Sequence, residues 1–471
     1  MGERTYIVVD IGKTLSKVTL WDDGNRLLDR QTRPNEACIT DGVLRLDIDG
    51  IGRWLTEALA KYRGQSVEAI VPVAHGAAFV ALGKNGPLFS PPDYEQPIPP
   101  DILAAYRRER DPFALTGSPL LPDGLNLGAQ IYWCEQTHPA EMADATLVPW
   151  AQYWAWYLSG EAVSEVTSLG CHADLWYPDK ARFSDMAERL GWTSRFAPIV
   201  NASDAVGPLR PELAAHTGLP ATTQILAGLH DSNAALLAAR GFAEIAEKEA
   251  TILSTGTWFI AMRLPTETVP ISTLPETRDT LVNVDVYGRP VPSARFMGGR
   301  EIETVIQIDT RRVDIKPDQP KLLQAVPALL ERGTMMLPTL APGCGPFPTD
   351  EAIWLNPPAD WTTAWHARRA AICLYAALVA DTSLDLIGSK ERLLVEGRFA
   401  EADVFVRALA ALRRDTQIFV ANAHNDVSFG ALRLIDPAWS ASEGLSRVEP
   451  LEGNLTAYRA KWHEAVLKEA A

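Results

Sequence analysis

The chain has 471 residues, with 44 Lys and Arg against 59 Asp and Glu, a net charge of −15, 47% apolar and 22% charged residues. At roughly 100–200 residues per domain this predicts two to four domains, each able to bury a core, and apolar segments recurring along the whole length argue against disorder. The acidity argues against a general binder of nucleic acid or anionic membrane, and a phosphate-bearing small molecule would need local cations or a metal ion. The five cysteines, Cys38, Cys134, Cys171, Cys344 and Cys373, are scattered without a C-x-x-C pair, which speaks against a disulfide scaffold or a thiolate zinc site. The first apolar run, Ile7–Val9, stops at Asp10, and no window approaches 18 uncharged apolar residues. Neither a signal peptide nor a membrane span is expected, and a cytoplasmic enzyme is the leading class.

In chain order, TYIVV, DIGKT and LSKVTLW read as strand, turn and strand, a β-hairpin with a single Gly12 in its turn. Ile51, Trp54, Leu55, Ala58, Leu59 and Tyr62 recur at helical spacing, and VEAIVPVAHG reads as a buried strand ending at a glycine. Strand, helix and strand in this order indicate an α/β domain. From Ser90 to Gly124 the chain is rich in Pro and Asp, which suggests an ordered irregular excursion. VPWAQYWAWYLSG reads as a packed helix, with no basic residue interleaved among its aromatics as single-strand binding would need.

TQILAGLHDSNAALLAA is a buried strand, a turn holding Asp231, and a helix. EATILSTGTWFIAM then repeats the strand, small-residue turn and strand of the N-terminus, about 240 residues later. The echo predicts two similar α/β domains facing each other across a cleft, residues 1–242 and 243–471. The second would hold a long helix Trp365–Leu386, the strand RLLVEG, the helix DVFVRALAALR, the strand QIFVA and the helix VSFGALRLI.

The chemistry of the two turns follows from their residue types. Gly, Thr and Ser in a turn expose N–H and O–H donors that no strand ladder uses, so both turns can grip phosphate oxygens. Neither is a P-loop, and no G-x-G-x-x-G follows a strand. Asp10, beside the first turn, suits magnesium, which takes one or two carboxylates plus waters and phosphate oxygens. Asp231 stands at or just before a helix start, where it can be a plain N-cap, the general base of a phosphoryl transfer, or both.

Taken together, DIGKTLSKV at 10–18, VAHGA at 73–77, AGLHDSNAA at 227–235, LSTGTW at 253–258 and LLVEGRFAEADVFVRAL at 393–409 resemble the FGGY family of carbohydrate kinases over essentially the whole chain. The resemblance implies two actin-like, ribonuclease H-like ATPase domains with a cleft between them, MgATP bound mainly by the second and the sugar mainly by the first. It implies transfer of the ATP γ-phosphoryl group to a sugar or polyol hydroxyl, with Asp231 as general base. Asp10 would organise Mg²⁺ through water, and Gly12, Lys13 and Thr14 would approach the β- and γ-phosphates. Thr255, Gly256 and Thr257 would form the second phosphate loop, with Gly397 on the adenosine side. His75 and Gly76 match the sugar-side His-Gly, and Asp93, Tyr94, His230 and Asn233 would be further sugar contacts.

Three departures from the family pattern stand out. Lys13 replaces the more usual Thr or Ser and adds a charge close to ATP. Glu396-Gly397-Arg398-Phe399 replaces a run of small residues, so larger side chains are expected to narrow the adenosine site. Phe296-Met297-Gly298-Gly299-Arg300 is a loose match to a Gly-rich segment. The Thr-Gly-Thr-Trp turn and the His-Gly-Ala-Ala-Phe segment look most like the kinases of deoxyketoses such as L-fuculose and L-rhamnulose. A xylulose, ribulose or polyol kinase, a transfer-inactive sugar or nucleotide binder, and an actin-like ATPase remain open, as does a homodimer.

Overall fold

The computed structural model describes residues 4–349, 351–421, 427–441 and 444–469. The chain forms two compact units: Met1–Gly241 with Val282–Pro290 and Asp426–Ser440, and Phe242–Leu281 with Val291–Asn425 and Ala441–Ala471.

In the first unit the run TYIVVDI is strand β1 (Thr5–Ile11), buried at every position. It pairs antiparallel with β2 (Leu15–Asp22), which pairs antiparallel with β3 (Leu27–Pro34). The hairpin turn is closed by the Gly12 N–H donating to the Leu15 carbonyl at 3.1 Å. Helix α1 (Ile48–Ala60) buries Ile51, Leu55, Ala58 and Leu59, the apolar stripe read from the sequence. It starts three residues before Ile51 because Asp47 caps it, accepting the Gly50 N–H at 2.8 Å. Strand β4 (Val67–Ala74) lies parallel to β1. The Ser90–Gly124 excursion contains a helix over Pro100–Glu109 and a short turn of helix over Phe113–Thr116.

The aromatic stretch is α2 (Trp150–Ser159), with Trp150 and Trp154 fully buried in one core with Ile7, Leu55 and Ile70. Strands β5 (Ala205–Pro208), β6 (Gln224–Leu226) and β7 (Leu229–His230) follow, then helix α3 (Asp231–Ala239). The sheet order is β5-β6-β4-β1-β2-β3, with β7 also parallel to β4.

The second unit repeats this plan. Strands β8 (Ala250–Thr255) and β9 (Phe259–Leu264) form a hairpin, and β9 is antiparallel to β10 (Pro290–Phe296). Helices α4 (Gly298–Ile306) and α5 (Trp365–Leu386) come next, α5 buried at every position from Ala370 to Leu384. β8 is parallel to β11 (Arg392–Gly397). After helix α6 (Asp403–Leu412), β11 is parallel in turn to β12 (Gln417–Ala421), and β13 (Leu445–Arg447) closes this edge. These six strands run in the order β10-β9-β8-β11-β12-β13, as their counterparts do in the first unit: a hairpin, a third antiparallel strand outside it, and on the other side two parallel strands followed by an antiparallel one.

The helix Val427–Leu432, which the sequence pattern puts in the C-terminal half, belongs to the first unit and packs on α3. Gly430 permits this contact, since a Cβ there would stand 1.8 Å from the Ala234 carbonyl oxygen. Among the described residues no helix is long and apolar enough to cross a membrane.

Candidate active site

Three neighbouring parallel strands of the first unit end with chemistry-bearing residues. Asp10 near the end of β1 lies opposite Val73 of β4, and Ile11 lies opposite Ala74. On the other flank of β4, His230 lies opposite Ala74. Asp10, His75 and the His230-Asp231 pair therefore stand at adjacent carboxyl ends, the edge where open α/β sheets collect ligands. The His75 N–H donates to the Ile11 carbonyl at 3.2 Å and ties two of these ends together.

The Asp10 carboxylate is buried and takes the ammonium of Lys17 at 2.8 Å from the facing position of the hairpin. Lys17 is a site residue that the motif reading passes over. In the turn itself, the Asn35 side-chain amide donates to the Gly12 carbonyl at 2.7 Å. Lys13 does not stand free for a nucleotide: its ammonium contacts the Asp93 carboxylate, lies 3.5 Å from Glu95, and sits 4.7 Å over the Tyr94 ring. The charge expected near ATP is held instead by the Asp93–Glu95 segment.

His75 meets Tyr94 edge-on at 5.7 Å and Trp150 at 6.0 Å, and its Nδ1 lies 2.7 Å from the Gly76 carbonyl. Burial holds His75 below the usual histidine range against the opposing pull of Asp231, and the same two effects act on His230. Both imidazoles are therefore neutral at physiological pH and can each donate and accept one hydrogen bond. His230 Nε2 lies 3.2 Å from Asp231 Oδ1 and 3.7 Å from Cys171 Sγ. Gly76 makes room for this pair, since a Cβ there would stand 2.9 Å from His230 Nε2 and 3.1 Å from Cys171 Sγ. Gly76→Ala is expected to displace His230, cost about 1–3 kcal/mol of stability by overpacking, and weaken sugar binding. Thermal melts with titration calorimetry check both effects.

Asp231 is the first residue of α3, and His230 rather than Asp231 occupies the N-cap position. Among the site carboxylates it is the accessible one: its side chain is 30% exposed, against 7% for Asp10 and 0% for Asp93. It can therefore meet an incoming hydroxyl. Two residues on, both side-chain polar atoms of Asn233 are buried without a hydrogen-bond partner among the described residues, as is His230 Nδ1. Orphaned polar atoms of this kind each carry an unmet desolvation cost of about 1–3 kcal/mol that a polar ligand or a water relieves.

Beneath this edge lies Glu165, fully buried, its carboxyl pushed up to about 7 by burial while hydrogen bonds from Thr167 pull the other way. A folded-state value raised above the ordinary 4.5 means that the protonated form favours the fold. That stabilisation is complete below about pH 4.5 and is lost as the pH rises through about 7, an effect on the order of 3 kcal/mol. Glu165→Gln keeps an acceptor for Thr167 and removes the charge. Its melting temperature is expected to stay level between pH 5 and 8, while that of the unaltered protein falls; parallel scans across this range check it.

In the second unit Thr255 at the end of β8 lies opposite Gly397 at the end of β11. The Thr255 hydroxyl donates to the Glu396 carbonyl and accepts the Phe399 N–H at 3.1 Å. The turn is closed by the Gly256 N–H on the Trp258 carbonyl at 3.0 Å. The start of α4 presses on it, as an added Cβ at Gly299 would lie 1.9 Å from the Gly256 oxygen. The turn Thr255–Thr257, Gly397 and the Gly298-Gly299 segment are thus one cluster. The expected narrowing by Phe399 does not occur through its ring, which is buried against Phe259 at 5.3 Å between centroids. Arg398 lies 3.7 Å from Glu303.

Residues 247–443 match the family described as "Carbohydrate kinase FGGY, C-terminal domain". The chain is similar to an L-fuculokinase from Salmonella typhi, 24% identical over 287 residues, a match that spans 56% of this chain and 57% of that protein. Among solved structures, a carbohydrate kinase from Novosphingobium aromaticivorans is 62% identical, with 100% of both chains covered and a TM-score of 0.96. A xylulose kinase from Rhodospirillum rubrum, 17% identical with 99% of both chains covered, has a TM-score of 0.80. A Plasmodium falciparum glycerol kinase with ADP is 12% identical, covers 100% of this chain and 99% of its own, and has a TM-score of 0.81. These last two share the fold. With two α/β units of one strand order and a relative of 62% identity aligned end to end, the chain belongs to the FGGY family of carbohydrate kinases, whose members are built from two actin-like ATPase domains.

Proposed function

We propose that the protein transfers the γ-phosphoryl group of ATP to a hydroxyl of a ketose, with Asp231 as general base, and that the ketose is L-fuculose, L-rhamnulose or a close deoxy relative. The observation that carries the reading is the meeting of Asp10, His75 and Asp231 at three adjacent strand ends, with orphaned polar atoms of Asn233 and His230 beside them. A polyhydroxylated ligand has the donors and acceptors to satisfy such groups. The similarity to an L-fuculokinase supports the choice of sugar.

On this reading His75, Gly76, Asp93, Tyr94, His230 and Asn233 contact the sugar. His230, whose Nε2 lies 3.2 Å from Asp231 Oδ1, orients the carboxylate. Asp231 then takes the proton of the attacking hydroxyl. The turn Gly12–Thr14 of the first unit, and the turn Thr255–Thr257 with Gly397 of the second, each offer N–H and O–H groups to phosphate oxygens. Lys13 reaches a phosphate only by leaving Asp93, so its charge serves the sugar side first.

Among the described residues no group of three or more His, Cys, Asp or Glu could hold a metal ion. A magnesium ion brought with ATP fits this chain through the single carboxylate of Asp10 and bound waters, not through a protein cage. When bound it would neutralise charge on the phosphate oxygens.

A screen of 6-deoxyketoses, ketopentoses, glycerol and erythritol with MgATP tests the assignment. L-fuculose or L-rhamnulose should give the highest kcat/KM. Preference for xylulose or a polyol would overturn the choice of sugar.

A further inference from the structure

We propose that Thr167, backed by the buried carboxyl of Glu165, is a positioning residue that sets where Asp231 stands against the reacting hydroxyl. The inference rests on Asp231 being the general base. Helix α3 starts at Asp231, and its N-cap residue His230 makes no side-chain cap bond. In a capping box the third helical residue reaches back to the N–H of the N-cap residue. That position here is Asn233, whose side chain has no partner among the described residues.

The bond comes instead from a distant segment. The His230 N–H donates to Thr167 Oγ1 at 3.0 Å. Thr167 Oγ1 in turn lies 2.5 Å from Glu165 Oε2, and that same oxygen accepts the Thr167 N–H at 3.0 Å. Glu165 and Thr167 are both fully buried, so water does not substitute for either partner.

The direction of the chain of bonds follows from the inventory of a hydroxyl, which has one proton and two lone pairs. A peptide N–H can only donate, so Thr167 accepts from His230, which leaves its own proton to donate to Glu165 Oε2, the oxygen that also accepts the Thr167 N–H. Glu165 therefore fixes the rotor of Thr167, Thr167 fixes the peptide of His230, and the next residue is Asp231. The segment that carries Thr167 is itself closely packed: a Cβ at Gly170, just past this turn, would stand 2.4 Å from Val284. Glu165 and Thr167 are fully buried, and the device acts through the His230-Asp231 segment that it holds.

The test compares Thr167→Val, Thr167→Ala, Thr167→Ser and Asp231→Asn in the full-length protein. Its readouts are kcat and KM with MgATP and L-fuculose or L-rhamnulose, whichever is turned over faster, sugar binding by calorimetry, and melting curves. Val and Ala should lower kcat roughly 10- to 100-fold, the scale of a misplacement near 1 Å, with sugar KM and Kd within about threefold. Ser, which keeps the hydroxyl, should restore kcat to within about threefold. The proposal is overturned by a folded Val or Ala variant with unaltered kcat, by a loss confined to KM, by Ser as impaired as Val, or by failure of both hydroxyl-free variants to fold. An inactive Asp231→Asn beside a normal Thr167→Val would sink only the positioning role. Normal turnover by Asp231→Asn would sink the base assignment itself.

Discussion

Asp231→Asn is expected to lower kcat by roughly 10²- to 10⁴-fold, the usual contribution of a positioned general base, while leaving sugar Kd within about threefold. The amide has the same shape and keeps an oxygen that can accept from His230 Nε2 and from Ser232 Oγ, which lie at 3.2 Å in each case. What it cannot do is take a proton. Loss of a negative charge from the first turn of α3 costs about 0.3–1 kcal/mol through the helix dipole, too little to unfold the first unit. Steady-state ADP release and calorimetry on the same preparation separate the two effects. Turnover within tenfold of the unaltered enzyme would assign the proton to another acceptor.

Gly397→Ala is expected to cost at least about 3 kcal/mol of stability and to raise the KM for ATP more than tenfold. Gly397 has φ +82° and ψ −168°, a region open essentially to glycine and worth about 1–3 kcal/mol of strain for other residues. Its new Cβ would also lie 2.4 Å from the Thr255 oxygen and 3.2 Å from the Thr255 nitrogen. Those are backbone atoms at the start of the Thr255–Thr257 turn, so relief requires moving that turn. Gly343→Ala is the control: it has φ +85° with nothing within 4 Å of an added Cβ, so it carries the strain without the collision. Melting curves and ATP titrations of the two variants isolate the steric part. Equal effects would mean that Gly397 matters only for its backbone angles.

Much of this site is legible before any coordinates, for a physical reason. A buried strand that ends in a polar residue shows an apolar run broken by one polar group, as at Asp10, His75 and His230-Asp231, and the continuity of the runs marks them as buried. The hairpin at the start of each unit is likewise written in the repeated strand, turn and strand. Lys17 is within reach of the same reasoning: a hairpin that turns at Lys13-Thr14 places Gly12 against Leu15, Ile11 opposite Ser16 and Asp10 opposite Lys17.

Other features depend on contacts between distant segments and leave no periodic trace. The pairing of Lys13 with Asp93 spans 80 residues, and the bond from His230 to Thr167 spans 63. Phe399 looks like an obstruction in a small-residue motif, yet apolar surface is best placed in the core, and its ring packs on Phe259. The return of Val427–Leu432 to the first unit buries Ala431 and Leu432 against Val8 and Val71 and needs Gly430, whose value appears only when its neighbour is known.

The central claim is phosphoryl transfer to a sugar, and ADP release with MgATP, measured with and without L-fuculose and L-rhamnulose, tests it most directly. The account predicts slow release without sugar and release stimulated at least 100-fold by one of these ketoses, with one phosphorylated sugar formed per ADP. Release of equal rate with and without sugar, or none with any ketose or polyol, would contradict it.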